Sequence, residues 1–193
     1  TYQVDTELDM RMDKRNPLTA KEVVNSYSLE ELIRIFKTYG DERYANAIAH
    51  NIVKTRTNKP ISTTFELVEI IRNSKPPKVV HNEGHPAKQV FQALRIEVND
   101  ELNVLTSALK QATEILARHG RIVVISFHSG EDKIVKSIFK DLAVEVGNRI
   151  NLPTENKKLD FALVTHKPIV ATEQELENNN RAHSAKLRIL EKV

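Results

Sequence analysis

The stretch "RIVVISFHSGEDKIV", residues 121–135, runs from an apolar strand into a helix start, with His128 at the join. In open parallel sheets, ligands sit beyond the carboxyl ends of the strands, so His128 stands where a site is expected. An imidazole titrates near neutral pH and can contact a base or a phosphate. It can equally hydrogen-bond a neighbouring loop, and the residue types leave both readings open. Ser129 and Asp132 have capping-box spacing, a hydroxyl residue three positions before an acid, and are expected to cap the next helix.

Three other stretches carry polar groups in suggestive order. In "GHPAKQVFQALRIEVNDEL" (84–102), Lys88, Gln92, Arg95 and Asn99 recur at three- and four-residue spacing beside an apolar stripe. Such a helix face either binds phosphates and base edges or is simply solvated. From Arg72 to Arg95, five Lys or Arg stand against one acid, Glu83, for a local net charge of +4. "LDMRMD" (8–13) alternates Asp9, Arg11 and Asp13 with two methionines. It reads as a strand-like loop with Arg11 paired to a carboxylate, or as an ordinary surface turn. "NNNRAHSAKLR" (178–188) presents Arg181, His183, Lys186 and Arg188, either a basic edge for nucleic acid or an edge strand protected by charge. His81 and His85 are four apart but lie in a Pro/Gly segment without carboxylates on one face, so no metal centre is expected. There is no Gly-rich phosphate loop and no G-x-S-x-G nucleophile turn.

The elements that must position these residues change character along the chain. Of its 193 residues, 40% are hydrophobic and 28% charged, the balance of a globular protein. The absence of cysteine excludes disulfides and thiolate zinc sites. No apolar run approaches the ~20 residues that a membrane helix needs. A net charge of +3 adds only weakly to the case for a nucleic-acid partner. Capping-box spacing recurs at Thr19/Glu22, Ser28/Glu31, Thr63/Glu66 and Thr172/Glu175. Helical periodicity predicts helices over 29–39, stopped by Gly40, over 41–57, and over 63–73 with Phe65, Leu67, Val68, Ile70 and Ile71 inward. Residues 74–85 read as a loop. Residues 86–118 read as one long helix, or two with a joint near Asn99. The run 121–127 then predicts a buried, parallel strand with neighbours on both sides. A helix over 130–142, a polar loop over 147–158, half-buried strands over 159–166 and 184–192, and a short helix near 173–178 complete the α/β part. The first residue is Thr1 rather than methionine, which reads as the interior of a longer protein.

Taken in order, "LDMRMD", "PISTTFEL", "GHPAKQVFQALRIEVNDEL", "GRIVVISFHSGEDKIVK", "HKPI" (166–169) and "NNNRAHSAKLR" resemble the MraW (RsmH) family over nearly the whole chain. These are S-adenosylmethionine-dependent methyltransferases that modify N4 of a cytidine in the decoding centre of 16S ribosomal RNA. The resemblance implies a Rossmann-like methyltransferase domain interrupted by an all-helical insertion that helps to recognise RNA. Residues 1–105 would be the insertion and 106–193 the C-terminal part of the catalytic domain. His128 and Ser126 would line the substrate side of the pocket. Arg11, His85, Lys88, Gln92, Arg95, Asn99, Arg181 and Lys186 would orient the insertion or hold RNA. The implied setting is cytoplasmic, with the small ribosomal subunit as partner and a homodimer as a further possibility. The family's Gly-rich cofactor loop and ribose-binding acid have no match here, so no cofactor-binding residue is named. Gly130 stands where the family usually has leucine. A glycine there costs about 0.5–1 kcal/mol in the first helical turn and implies a looser loop after His128. The alternative is a non-catalytic RNA-binding helical module.

Overall fold

The computed structural model describes residues 2–82, 84–143 and 160–193. The chain divides into two compact units, Thr1–Glu101 and Leu102–Val193.

The first unit is helical: α1 (Ala20–Ser26), α2 (Leu29–Thr38), α3 (Ala45–Arg56), α4 (Thr64–Asn73), α5 (Pro77–Asn82) and α6 (Lys88–Asn99). Thr19–Glu22, Ser28–Glu31 and Thr63–Glu66 form complete capping boxes at the starts of α1, α2 and α4. In each, the hydroxyl accepts the acid's N–H and the carboxylate accepts the cap residue's N–H, satisfying donors that the helix leaves free. Leu32, Ile35 and Phe36 of α2 meet Ile48 and Ile52 of α3, Leu67 and Ile71 of α4 and Leu94 of α6 in one dry core. Helix α6 buries Val90, Phe91, Ala93, Leu94, Ile96 and Val98, more than one stripe, as befits a central helix.

Three details differ from the sequence reading. Phe65 is 47% exposed rather than inward, because Thr64 takes the buried place and bonds both Val4 O and Thr6 N. Residues 74–85 include α5, which Pro77 opens with its preset φ. The left-handed residue after α2 is Asp41 (φ 49°), not Gly40. Gly40 is required for close approach instead, since a Cβ there would lie 2.6 Å from Gln89 O and 2.9 Å from Phe36 O. Of the two readings of the long periodic segment, the one with a joint near Asn99 holds: Asp100, at φ 50° and ψ 38°, ends α6 before α7 (Glu101–Ile115).

One buried ion pair escaped the sequence reading. Lys75, between α4 and α5, places Nζ 2.6 Å from Glu42 Oε2 and donates to Pro86 O at 2.8 Å. The other carboxylate oxygen of Glu42 accepts Tyr44 N–H at 2.9 Å. The two side chains are 4% and 1% exposed. Charges this deep persist only when paired and hydrogen-bonded.

The second unit contains α7, β1 (Arg121–Ser126), α8 (Ser129–Ala143), β2 (Phe161–Leu163), β3 (Ile169–Val170), α9 (Glu173–Asn178), a 3-10 turn (Asn180–Ser184) and β4 (Lys186–Lys192). Strand β4 is central, and both its edges are paired. Strand β1 runs antiparallel along one edge, from Arg121↔Glu191 to Ser126↔Lys186. Strands β2 and β3, also antiparallel, share the other. The expectation of a parallel strand buried on both faces is therefore corrected. Among the described residues β1 has one neighbour, and it alternates. Ile122 and Val124 pack toward Leu109, Val135, Phe139 and Leu190, whereas Val123, Ile125 and Phe127 are 54%, 53% and 56% exposed. The polar loop expected over 147–158 lies outside the described residues.

Replacing Lys75 with methionine strands the Glu42 carboxylate in the core. Urea denaturation should show a loss of about 3–5 kcal/mol, and Lys75→Met with Glu42→Leu should recover much of it. Equal stability of the single variant and the parent would contradict a buried, mutually dependent pair.

Candidate functional site

In the first unit, a groove of about 440 Å³ runs between the 10–12 loop and the first turns of α6. Tyr2 and Phe91 are its aromatic surfaces, and Lys88, Gln92 and Arg95 line the helix side. The loop side is held open by local bonds. Arg11 forks onto Asp9 with Nε–Oδ1 at 2.6 Å and Nη2–Oδ2 at 2.9 Å, and its Nη1 donates to Lys14 O and Asn16 O. That fork holds the Asp9 carboxyl down to about 2. Met10 adopts a left-handed backbone (φ 62°), a conformation that a non-glycine residue keeps only when its surroundings enforce it. Asn99 supplies the enforcement: its amide donates to Met10 O at 2.9 Å and its oxygen accepts Met12 N–H at 2.7 Å. Asn16 adds a bond to Val98 O.

The expected RNA-facing residues of this unit therefore divide. Arg11 and Asn99 hold the loop, and the amide of Gln92 donates to Tyr39 O at 2.9 Å. These three side chains are committed to protein groups and shape the groove. Arg95 is 46% exposed and forked onto Glu101 at 2.8 and 3.1 Å, a surface pair that an anion can compete for. Lys88 is exposed and has no ion pair among the described residues. His85 stacks on Tyr2 with ring centroids 4.3 Å apart, and Phe91 meets Tyr2 edge-on. Burial, with Arg72 adding to it, lowers the His85 imidazole, which favours its neutral form beside the Tyr2 ring. The sequence offered no sign of Tyr2 as its partner.

In the second unit, the cap of α8 sits one residue earlier than the spacing of Ser129 and Asp132 implied. His128 is the cap residue. Its Nδ1 accepts Glu131 N–H at 3.4 Å, while Glu131 Oε2 accepts the N–H groups of Phe127 and His128 at 2.8 and 3.3 Å. The H-x-x-E spacing is the signal that the sequence reading passed over. The Glu131 carboxyl is lowered despite the opposing effect of its burial, by His128 and by those two backbone donors. His128 Nε2 is shielded from solvent and makes no aligned hydrogen bond, although Glu131 Oε1 lies 3.3 Å away. A Cβ at Gly130 would crowd His128 Nδ1 at 3.2 Å, so the imidazole lies back over the glycine. Asp132 turns to β4 instead. Arg188 Nε reaches Oδ1 at 2.8 Å and Lys186 Nζ reaches Oδ2 at 3.3 Å, and these cations lower the Asp132 carboxyl. Ser126 is 3% exposed and its hydroxyl donates to Lys186 O at 3.3 Å, so it holds the β1–β4 pairing rather than facing a pocket. Arg181 is exposed on the 3-10 turn. Lys186, 44% exposed, shares Asp132 with Arg188.

Two outcomes test the groove. Asn99→Ala should release the 10–12 loop and destabilise the chain by about 1–3 kcal/mol, read by urea denaturation. The Asp9 clamp is favoured in the folded state because its carboxyl ionises more readily there than in the unfolded chain. Its contribution is complete above the unfolded carboxylate range, roughly pH 4–5, and is lost as pH falls through about 2. The methyl resonances of Met10 and Met12 should sharpen and shift across that window, and Asp9→Asn should show the released spectrum at neutral pH.

The sequence model of the MraW methylase family matches residues 1–193. A protein of Spiroplasma kunkelii named "Ribosomal RNA small subunit methyltransferase H" is 53% identical over 196 residues, covering the whole chain and 63% of that protein. A protein of the same name from Streptococcus dysgalactiae subsp. equisimilis is 48% identical over 194 residues, covering the whole chain and 61% of that protein. The chain thus spans about three fifths of the length of these curated relatives. With a family match from end to end and about half of its residues shared with these relatives, the chain belongs to the MraW methylase family.

Proposed function

We propose that the whole protein transfers a methyl group from S-adenosylmethionine to N4 of a cytidine in the decoding centre of 16S ribosomal RNA, in the cytoplasm. The family match along the entire chain is the observation that carries this reading. In it, residues 1–105 are a helical insertion that meets RNA and residues 106–193 the C-terminal part of a Rossmann-like catalytic domain. The remaining two fifths of the family's length completes the sheet beside β1. The exposed row of Val123, Ile125 and Phe127 and the edge of β1 that has no strand partner among the described residues support this, since an apolar strand face and a free ladder edge both call for cover. Cover from the same polypeptide also makes a second copy unnecessary for this surface.

The described residues do not fit a cofactor cradle. The N–H groups of Phe127 and His128, at the turn from β1 into α8, are occupied by Glu131. Cofactor binding is therefore assigned to the rest of the protein, and this chain's residues act on the RNA side. The N4 lone pair is delocalised into the cytosine ring, so the reaction depends on close positioning of a weak nucleophile. The base must be flipped or single-stranded to be reached. Because His128 Nδ1 accepts a backbone N–H, the neutral ring carries its proton on Nε2. His128 then serves as a positioning residue: Glu131 holds the tautomer, Nε2 lies 3.3 Å from Glu131 Oε1 and shielded from solvent, and the ring braces the turn beside the pocket. Lys88, Arg95, Arg181 and Lys186 meet phosphates, Tyr2 and His85 offer a stacking surface, and Arg11, Gln92 and Asn99 hold the groove's shape.

Calorimetric titration should detect S-adenosylmethionine binding to a version extended upstream and not to the 193-residue chain. No binding to a folded extended version would favour a non-catalytic RNA-binding module. In the whole protein, His128→Ala should lower methyl transfer by about 10–100-fold, the scale of a positioning hydrogen bond, with cofactor affinity unchanged. Undiminished turnover would remove His128 from the site.

A further inference from the structure

A second groove, of about 230 Å³, lies within the second unit, between α8 and the segment joining β2 to β3. Its floor is apolar: Phe139, Leu163 and Ile189. Among the described residues, its polar side chains are three basic residues, an imidazole and a hydroxyl. Lys136 and Lys140, four apart on α8 and so on one helix face, are exposed and have no ion pair among the described residues. His166 lies at the rim, and Arg188 is turned toward Asp132. Among the described residues, no carboxylate lines it. Thr165 contributes the decisive observation. Its hydroxyl oxygen is buried and has no hydrogen-bond partner among the described residues. A buried hydroxyl without a partner is destabilising, and such groups are few in folded proteins. Threonine and valine are nearly isosteric, so packing alone does not account for the hydroxyl. The groove's volume is that of several waters, enough for a phosphate and part of the sugar attached to it.

We propose that this groove binds a phosphate group of the RNA backbone, with Lys136 and Lys140 supplying charge and the Thr165 hydroxyl donating to a phosphate oxygen. The phosphate chemistry stands on the groove alone, and the choice of RNA as its source rests on the function proposed above. The site is separate from the His128 turn, and the "HKPI" segment, to which that function gives no task, flanks it.

The test uses the whole protein, extended upstream, and follows the anisotropy of a short fluorescein-labelled single-stranded oligoribonucleotide across a salt series. Inorganic phosphate is titrated separately by calorimetry. Lys136→Ala with Lys140→Ala should weaken oligoribonucleotide binding about tenfold and flatten the log–log salt dependence by about 1, the expectation for one or two lost phosphate contacts. Thr165→Val should weaken binding about threefold while its melting temperature stays equal or rises, because valine removes an unpartnered hydroxyl. Loss of phosphate binding in these variants with oligoribonucleotide binding intact would support the site and assign it to a free phosphate. Unchanged affinity for both probes in the lysine variant would overturn the proposal. So would a Thr165→Val protein that binds both as the parent does, since general surface charge would then explain any lysine effect. S-adenosylmethionine titrations of the same variants separate the two readings: intact cofactor binding beside a failed groove test leaves the methyltransferase reading standing.

Discussion

An ammonium group buried beside a carboxylate is the constraint on which the helical unit turns. Lys75 cannot sit 4% exposed without Glu42, and neither can be satisfied without Tyr44 N–H and Pro86 O. Those four groups come from the α2–α3 turn, the α4–α5 turn and the approach to α6. Satisfying them fixes where α6 begins, and therefore where Lys88, Gln92 and Arg95 emerge along the groove. Gly40 tightens the same region, since only a residue without Cβ lets the end of α2 come against Gln89 O. The groove is thus a consequence of burial elsewhere: its shape is set by groups that never face it.

A similar dependence governs the turn after β1. Two capping patterns overlap by one residue there, His128 with Glu131 and Ser129 with Asp132. Local propensity favours the serine, which is the better cap residue. The outcome goes the other way because Asp132 has stronger partners on β4, the guanidinium of Arg188 and the ammonium of Lys186. A two-point pair with a guanidinium outcompetes a single bond to a backbone N–H. With Asp132 drawn to the sheet, Glu131 takes the free N–H groups and His128 Nδ1 takes Glu131 N–H. The tautomer of His128, and with it the role proposed for the ring, descends from an ion pair with a strand more than fifty residues later.

The polar face read along α6 shows the same division of labour. Lys88, Gln92, Arg95 and Asn99 share a helical spacing, yet only Lys88 and Arg95 are exposed to an incoming partner. Gln92 and Asn99 carry amides, which satisfy backbone donors and acceptors at once, and the fold uses them to pin Tyr39, Met10 and Met12.

By itself, the sequence determined the elements with local causes. The capping boxes at Thr19, Ser28 and Thr63, the apolar faces of α2, α3 and α8, and the α/β character of the later residues follow from interactions spanning three or four positions. The resemblance of whole motifs also made the family legible, because it needs no geometry. Only the tertiary structure decided the antiparallel partner of β1, the outward turn of Phe65, the cap at His128, the stacking of Tyr2 on His85 and the pairing of Lys75 with Glu42. Each of these joins residues far apart in sequence, or settles a choice between two local patterns of similar energy. In both cases the deciding term is burial or a charge-assisted bond to a distant segment, and nothing in the local spacing records it.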